Sequence, residues 1–259
     1  MMQKLGGNMV RSIEDDFVEL HSVEIFNGKI TSVDLDATKE NFLKLCNIDK
    51  SFPDLDGLMV ILNEYGPDLF AATSQEGLKV DPLEVVLKEG CSVPRHNLRY
   101  ISPPLMKKLE IEVERLISEG ILVATNTAEG CSPLVIVSKP DGGIRLAVDY
   151  RELNKVIKNF AGTIPGMKSL FPYMANKKYY AKVDNLWGYH QLLVSPACQD
   201  LLAIITPWGV FKWTRCPFGV YTAPGVYQDR MANVILKDLM YINCVVYIDD
   251  TIVFGNSVD

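Results

Sequence analysis

The sequence predicts an α+β fold, an antiparallel sheet backed by helices, on three observations. Short runs of β-branched and aromatic residues recur, each closed by turn residues, as in "SPLVIVSKPDGGIRLAV" and "VVYIDDTIVFG". Two longer stretches carry apolar residues at helical spacing instead. With 259 residues, 48% of them hydrophobic, the chain has material for one large packed domain or two modest ones.

The elements follow in order. In the first eighty or so residues, "ATKENFLKLC" and "LDGLMVILNEYG" read as short helices among polar and acidic stretches. "VPRHNLRYISPP" is extended and basic, and Ser102 is placed to cap a helix opening at Pro103 and Pro104. Leu105, Leu109, Val113, Leu116 and Ile117 give that helix an apolar face, and Gly120 stops it. A strand over 134–138, a Pro-Asp-Gly-Gly turn and a strand over 144–149 come next, with Lys139 and Arg145 flanking the turn. A short helix at "PGMKSLFPYM" leads to a strand that alternates Tyr180, Lys182 and Asp184 on one face with Ala181 and Val183 on the other. His190, between Tyr189 and Gln191, reads as part of a strand and is assigned no role. "LLAIITPWGVFKWTRCPFGV" supplies further strands and a glycine-containing loop. From Thr222 as cap, a helix over "APGVYQDRMANVILKDLMYI" turns Val226, Met231, Ile235 and Leu239 inward.

Composition excludes several classes. No apolar run approaches the length needed to cross a bilayer, and the N-terminus turns acidic before any signal-like segment, so a soluble, unsecreted chain is expected. Six cysteines (Cys46, Cys91, Cys131, Cys198, Cys216 and Cys244) lack C-x-x-C spacing and suggest neither a zinc site nor a disulfide framework. The net charge of −6 is unevenly spread. Residues 1–90 carry 8 Lys and Arg against 17 Asp and Glu, while residues 91–259 carry 18 against 15. The mildly basic remainder permits contact with phosphate backbones.

The adjacent carboxylates of "VVYIDDTIVFG" raise the functional question. A two-residue spacer between β-like runs reads as a tight hairpin with Asp249 and Asp250 at its tip. Two readings stand. Asp is a common turn residue because its side chain bonds nearby backbone. However, the favoured two-residue turns need positive φ and so glycine, and there is none here. Two carboxylates about 4 Å apart repel by about 1 kcal/mol in water, a repulsion that a divalent cation reverses. The second reading is therefore a hard-cation site, to which Asp184 at its strand end adds a third carboxylate if the strands are neighbours.

Four ordered blocks carry a resemblance. "Tyr247-Ile248-Asp249-Asp250" resembles the Y-x-D-D signature of reverse transcriptases. "SPLVIVSKPDGGIRLAVDYRELNK", "KVDNLWGYHQL" and "CPFGVYTAPGVYQDRM" resemble the blocks that precede it. The similarity runs from about residue 94 to 255 and is greatest to the polymerase of gypsy-class long-terminal-repeat retrotransposons, with "LNEYGPDLFAA" and "PLEVVLKEG" similar to the linker between protease and polymerase.

The resemblance implies right-hand polymerase fingers and a partial palm over 91–259, preceded by a linker-like segment over 1–90. It implies RNA-directed DNA polymerisation, with dNTPs joined to a DNA or RNA primer on an RNA or DNA template. Asp184, Asp249 and Asp250 would hold two Mg²⁺ ions, with Mn²⁺ as a substitute, Asp250 as the accessory ligand and the Asn185 carbonyl as a further one. Lys139 and Arg145 would grip the triphosphate, Tyr189 would crowd the sugar 2′-OH, and Phe218 would pack against the new base pair with Gly219 allowing close approach. Arg151 and Asn154 fall in the template-side block. Other Pol domains would be partners, no membrane is implied, and a cytoplasmic particle is the expected location.

Asn185, Trp187, Tyr221 and Thr222 depart from the usual residues of the family, and no thumb or RNase H counterpart follows Asp259. A fragment is expected. A rival reading is a catalytically inactive remnant that binds nucleic acid or another protein.

Overall fold

The computed structural model describes residues 17–20, 53–69, 77–138, 143–160, 162–185 and 188–257. In chain order its elements are β1 (Phe17–Leu20), α1 (Leu55–Leu69), α2 (Pro103–Ser118), β2 (Leu122–Ala124), β3 (Ser132–Ser138), β4 (Ile144–Val148) and α3 (Arg151–Val156). There follow α4 (Met167–Met174), β5 (Tyr179–Asp184), β6 (Ile204–Thr206), β7 (Gly209–Trp213), α5 (Ala223–Arg230), β8 (Cys244–Tyr247) and β9 (Asp250–Gly255). The described residues fall into two units. The first takes those within Met1–Ser74, Ile164–Leu186 and Met231–Asp259, the second those within Gln75–Thr163 and Trp187–Arg230. Among the described residues no helix is long and apolar enough to cross a membrane.

The second unit is built on a five-stranded sheet of order β2-β7-β6-β3-β4. Its pairs are antiparallel except β3 with β6, where Ser132 and Pro133 lie opposite Ile204 and Ile205. Helix α2 buries Leu109, Val113 and Leu116, its predicted apolar stripe, while Ile117 stays 42% exposed. Gly120, at φ 68°, ends the helix. Its N–H donates to Ile117 O and that of Ile121 to Leu116 O, the paired bonds that close a helix through a left-handed residue. Ser102 stands at the cap position but its hydroxyl makes no capping bond. With proline in the first two helical positions there are fewer free N–H groups to cap. Residues 77–100 are tied to the same unit: Leu83 bridges Val194, Leu87 bridges Ile157, and Leu83 and Val85 are buried.

The first unit holds a four-stranded sheet of order β1-β5-β9-β8. Strand β5 runs antiparallel to β9, with Tyr180 opposite Phe254 and Lys182 opposite Ile252, and β8 runs antiparallel to β9. Strand β1 adds parallel to β5 at the other edge, a pairing with no counterpart in the sequence reading. Leu170 of α4 packs with Tyr180, Val245 and Phe254, and Met174, Tyr247 and Ile252 border them. The Tyr180 hydroxyl donates to Met174 O at 2.7 Å, fastening the end of α4 to the sheet. Helix α1 coincides with the second expected N-terminal helix and is capped by Asp54, whose Oδ1 accepts the Gly57 N–H at 2.9 Å. The expected helix over 37–46 lies outside the described residues.

Two sequence expectations are corrected. The helix from Thr222 is straight only through Arg230, and Met231–Ile235 form a π-helical turn in which Leu236 N–H reaches back to Met231 O. The extra residue rotates the downstream side chains off the inward stripe. Val226 and Met231 are buried as expected, but Ile235 and Leu239 are exposed. His190 sits in a 3-10 turn, Gly188–Gln191, and not on a strand. Alternation over three residues of mixed polarity does not separate the two.

Candidate active site

The hairpin of β8 and β9 is one residue out of the expected phase. Tyr247 pairs with Asp250, so the two central turn residues are Ile248 and Asp249, and Asp250 is the first residue of β9. The cause is non-local. β9 is held in register by β5, and that pairing extends to Asp184 opposite Asp250. The positive φ that such a turn requires therefore falls on Ile248, at 61°. For a β-branched residue this is a strained conformation, costing about 1–3 kcal/mol, that the flanking ladders must hold.

The same pairing gathers the acidic positions. Asp184 and Asp250 are direct partners across β5 and β9, and Asn185 N–H donates to Asp249 O at 3.5 Å. Asp250 is 46% exposed at its side chain, and Lys182 Nζ lies 3.3 Å from its Oδ1. Lys182, unassigned in the sequence reading, was legible as the residue that alternates with Asp184 on one face. The donor set, carboxylate oxygens on a hairpin turn beside a third acidic position, has the hard-oxygen chemistry that suits a small divalent cation.

The second unit holds the remaining candidates that the structure describes. Tyr189 lies in the 3-10 turn, its ring 5.5 Å from that of Phe218 and 5.5 Å from that of Tyr227, edge-on to both. Tyr227 was missed as a site residue, although it stands in the same block as Phe218. Gly219 has φ 104°, and a Cβ there would meet Val148 O at 2.8 Å, so the loop passes close over the end of β4. Asn154 clamps it from α3. The side-chain Nδ2 donates to Gly219 O at 2.9 Å, and Oδ1 accepts the Tyr221 N–H at 3.0 Å. Read from sequence as a template-side residue, Asn154 has both ends of its amide engaged within the fold. Replacing it with Ala is expected to loosen the loop and cost about 1–3 kcal/mol in urea unfolding.

Asp149 accepts from Arg151 at 2.7 and 2.8 Å and from Arg99 at 2.6 Å, and the two guanidiniums, Arg151 foremost, hold its carboxyl well below the usual range. Arg151 is 80% exposed at its side chain. Arg145 lies in β4 opposite Val137, and Lys139 lies outside the described residues, as does Trp187. Burial pushes the Cys216 thiol up to about 12, which keeps it protonated.

Burial also pushes the His190 imidazole down to about 4, with Arg115 and Arg215 further disfavouring its cation and the bond to Cys216 O opposing them. An unfolded chain would protonate this ring near 6.5, so the contribution to stability is complete above that pH and is lost as pH falls from 6.5 toward 4. By pH 5 the loss is expected to reach about 2 kcal/mol. Urea midpoints at pH 7 and pH 5 measure it, and His190→Phe should flatten the difference.

Comparison with known proteins fits this arrangement. Residues 137–259 match the family described as "Reverse transcriptase (RNA-dependent DNA polymerase)". The chain is 29% identical over 194 residues to the "Retrovirus-related Pol polyprotein from transposon 297" of Drosophila melanogaster, covering 71% of this chain and 18% of that protein. To the corresponding polyprotein from transposon 412 of the same species it is 29% identical, covering 87% of this chain and 19% of that protein. The "Transposon Tf2-3 polyprotein" of Schizosaccharomyces pombe is 30% identical over 73% of this chain, and 14% of that protein is covered. The chain thus spans under a fifth of the length of these relatives. Its fold is similar to the foamy viral protease-reverse transcriptase solved with an RNA/DNA hybrid, at TM-score 0.72 and 20% identity over 85% of this chain and 29% of that one. A Prototype Foamy Virus protease-reverse transcriptase mutant gives 0.70 and 23% over the same shares. The carboxylate hairpin lies within the residues, 137–259, that match the reverse transcriptase (RNA-dependent DNA polymerase) family.

Proposed function

We propose that the chain is the fingers and palm portion of an RNA-directed DNA polymerase, with residues 91–259 as the polymerase part and residues 1–90 as the linker before it. The observation that carries this is the register of β5 on β9, which brings positions 184 and 250 opposite each other beside the Asp249 turn. Asp184 and Asp249 are the main ligands of two Mg²⁺ ions, for which Mn²⁺ is a substitute, with Asp250 as accessory ligand and the Asn185 carbonyl as a further one. When bound, the ions supply charge neutralisation at the attacking 3′-hydroxyl and the departing pyrophosphate.

The chain's own groups do the rest. Lys139 and Arg145 take the triphosphate oxygens of the incoming dNTP, a task suited to cationic donors. Tyr189, backed by Tyr227, presents its ring to the sugar and selects against a 2′-hydroxyl. Phe218 packs on the nascent base pair, and Gly219 keeps the loop low over β4. The template, RNA or DNA, and the primer are held through their backbones, so affinity falls steeply with salt.

Primer extension on an RNA template by the chain, in Mg²⁺ with the Asp249→Asn variant beside it, tests the proposal. Extension that requires Asp249 supports it. Extension indifferent to the substitution refutes the assigned chemistry, and nucleic-acid binding without extension by either protein marks the inactive remnant.

A further inference from the structure

His190 belongs neither to the carboxylate set nor to the nucleotide contacts, yet three parts of the second unit converge on it. It follows Tyr189 directly in the 3-10 turn. Its ring stacks on Trp213, with centroids 5.7 Å and planes 13° apart, and meets the Phe218 ring edge-on at 5.2 Å and 78°. Its Nδ1 lies 3.0 Å from Cys216 O. A carbonyl can only accept, so Nδ1 carries the hydrogen, and in the neutral ring Nε2 carries none.

These contacts have a direction. Trp213 is 1% exposed and lies in β7, opposite Leu122 of β2, so it forms a fixed wall of the sheet. Cys216 and Phe218 lie beyond the strand, in the loop that Gly219 and Asn154 carry back over β4. The imidazole fills the space between wall and loop, and its one donor is spent on the loop's backbone. On the other side, Arg215 Nη1 donates to His190 O at 3.1 Å and Cys216 N–H to Leu192 O at 2.8 Å, so turn and loop are tied to each other at three points.

We propose that His190 is a positioning residue that sets the separation of Phe218 from Tyr189, and through it the affinity for the incoming nucleotide, without touching the nucleotide. The proposal rests on the nucleotide roles given above to Tyr189 and Phe218. A histidine that served only as core filling would alter folding and leave nucleotide affinity alone.

Two variants separate the ring from its hydrogen bond. His190→Phe keeps an aromatic face for Trp213 and Phe218 but has no donor for Cys216 O. His190→Asn gives up the ring and keeps an N–H at nearly the Nδ1 position. The measurement is the equilibrium dissociation constant of dTTP for the whole chain bound to a dideoxy-terminated primer on a poly(rA) template in Mg²⁺, with melting temperature and template-primer affinity recorded alongside. His190→Phe is expected to weaken dTTP binding about tenfold with template-primer affinity unchanged, and His190→Asn to recover to within about threefold of the wild type. Wild-type affinity in His190→Phe with only a lowered melting temperature would overturn the proposal. So would equal losses in the two variants, since the hydrogen bond would then hold nothing in place. A wild-type chain that binds template-primer but no dTTP would instead strike at the nucleotide roles of Tyr189 and Phe218, and the proposal would fall with them.

Discussion

Asp249→Asn is expected to reduce primer extension by about 10³-fold or more while leaving the chain folded, a loss of about 4 kcal/mol in transition-state stabilisation. The substitution is nearly isosteric, so the turn keeps its shape. It removes one of the charges that a hard divalent cation requires, and a carboxamide oxygen is a far weaker ligand for Mg²⁺. The effect on stability should have the opposite sign. Asp249 and Asp250 are adjacent in the chain, and removing one of two neighbouring like charges relieves at most about 1 kcal/mol in water. A thermal melt in chelator should therefore show Asp249→Asn at or above the wild type, and the gap should close or reverse when Mg²⁺ is added and the wild type alone gains from binding it. A variant that lost extension together with a large fall in melting temperature would show that Asp249 acts on the fold and not on the reaction.

Gly219→Ala is expected to be strongly destabilising, at about 2–4 kcal/mol, or roughly 5–15 °C in melting temperature. Two costs combine at this position. A residue with a Cβ is strained at φ 104°, and that Cβ would stand 2.8 Å from Val148 O, a backbone atom that cannot swing aside. Gly90 provides the control. It has φ 72° with no atom within 4 Å of an added Cβ, so Gly90→Ala carries the conformational cost alone. The difference between the two variants reads the clash. Because Gly219 O is held by Asn154 Nδ2, relief of the clash must pull the loop off its clamp and move Phe218 with it. Gly219→Ala should accordingly raise the dNTP KM in extension assays, whereas Gly90→Ala should leave it unchanged. Equal stability losses in the two would mean that the loop has more room than its distance to Val148 implies.

What could be read in advance depended on how local the determinant was. The stripe of Leu109, Val113 and Leu116 with Gly120 behind it is a property of consecutive residues, and the helix, its buried face and its left-handed stop all appear where the pattern put them. The same holds for the strands β3 and β4 and their antiparallel pairing. The phase of the carboxylate hairpin was not legible, because apolar runs on both sides of Asp249 and Asp250 are compatible with either turn. Pairing with β5 chose between them. Nor did anything near Phe17–Leu20 announce a parallel partner for β5. Asn154 reads as a template-side residue only from the block in which it falls. Its amide is consumed by a loop more than sixty residues away.

By itself the sequence determined which chemical groups this chain has and roughly where they fall along its strands and helices: three carboxylates in two blocks, an aromatic pair, and a loop with the glycine it needs. Only the tertiary structure decided that Ile248 would bear the positive φ, that Asp184 would stand opposite Asp250, and that Asn154 and His190 would hold one loop from two sides. The reason is physical. Side-chain periodicity records which face of an element is buried, whereas register and loop closure are set by hydrogen bonds to residues far along the chain, and no local pattern carries that information.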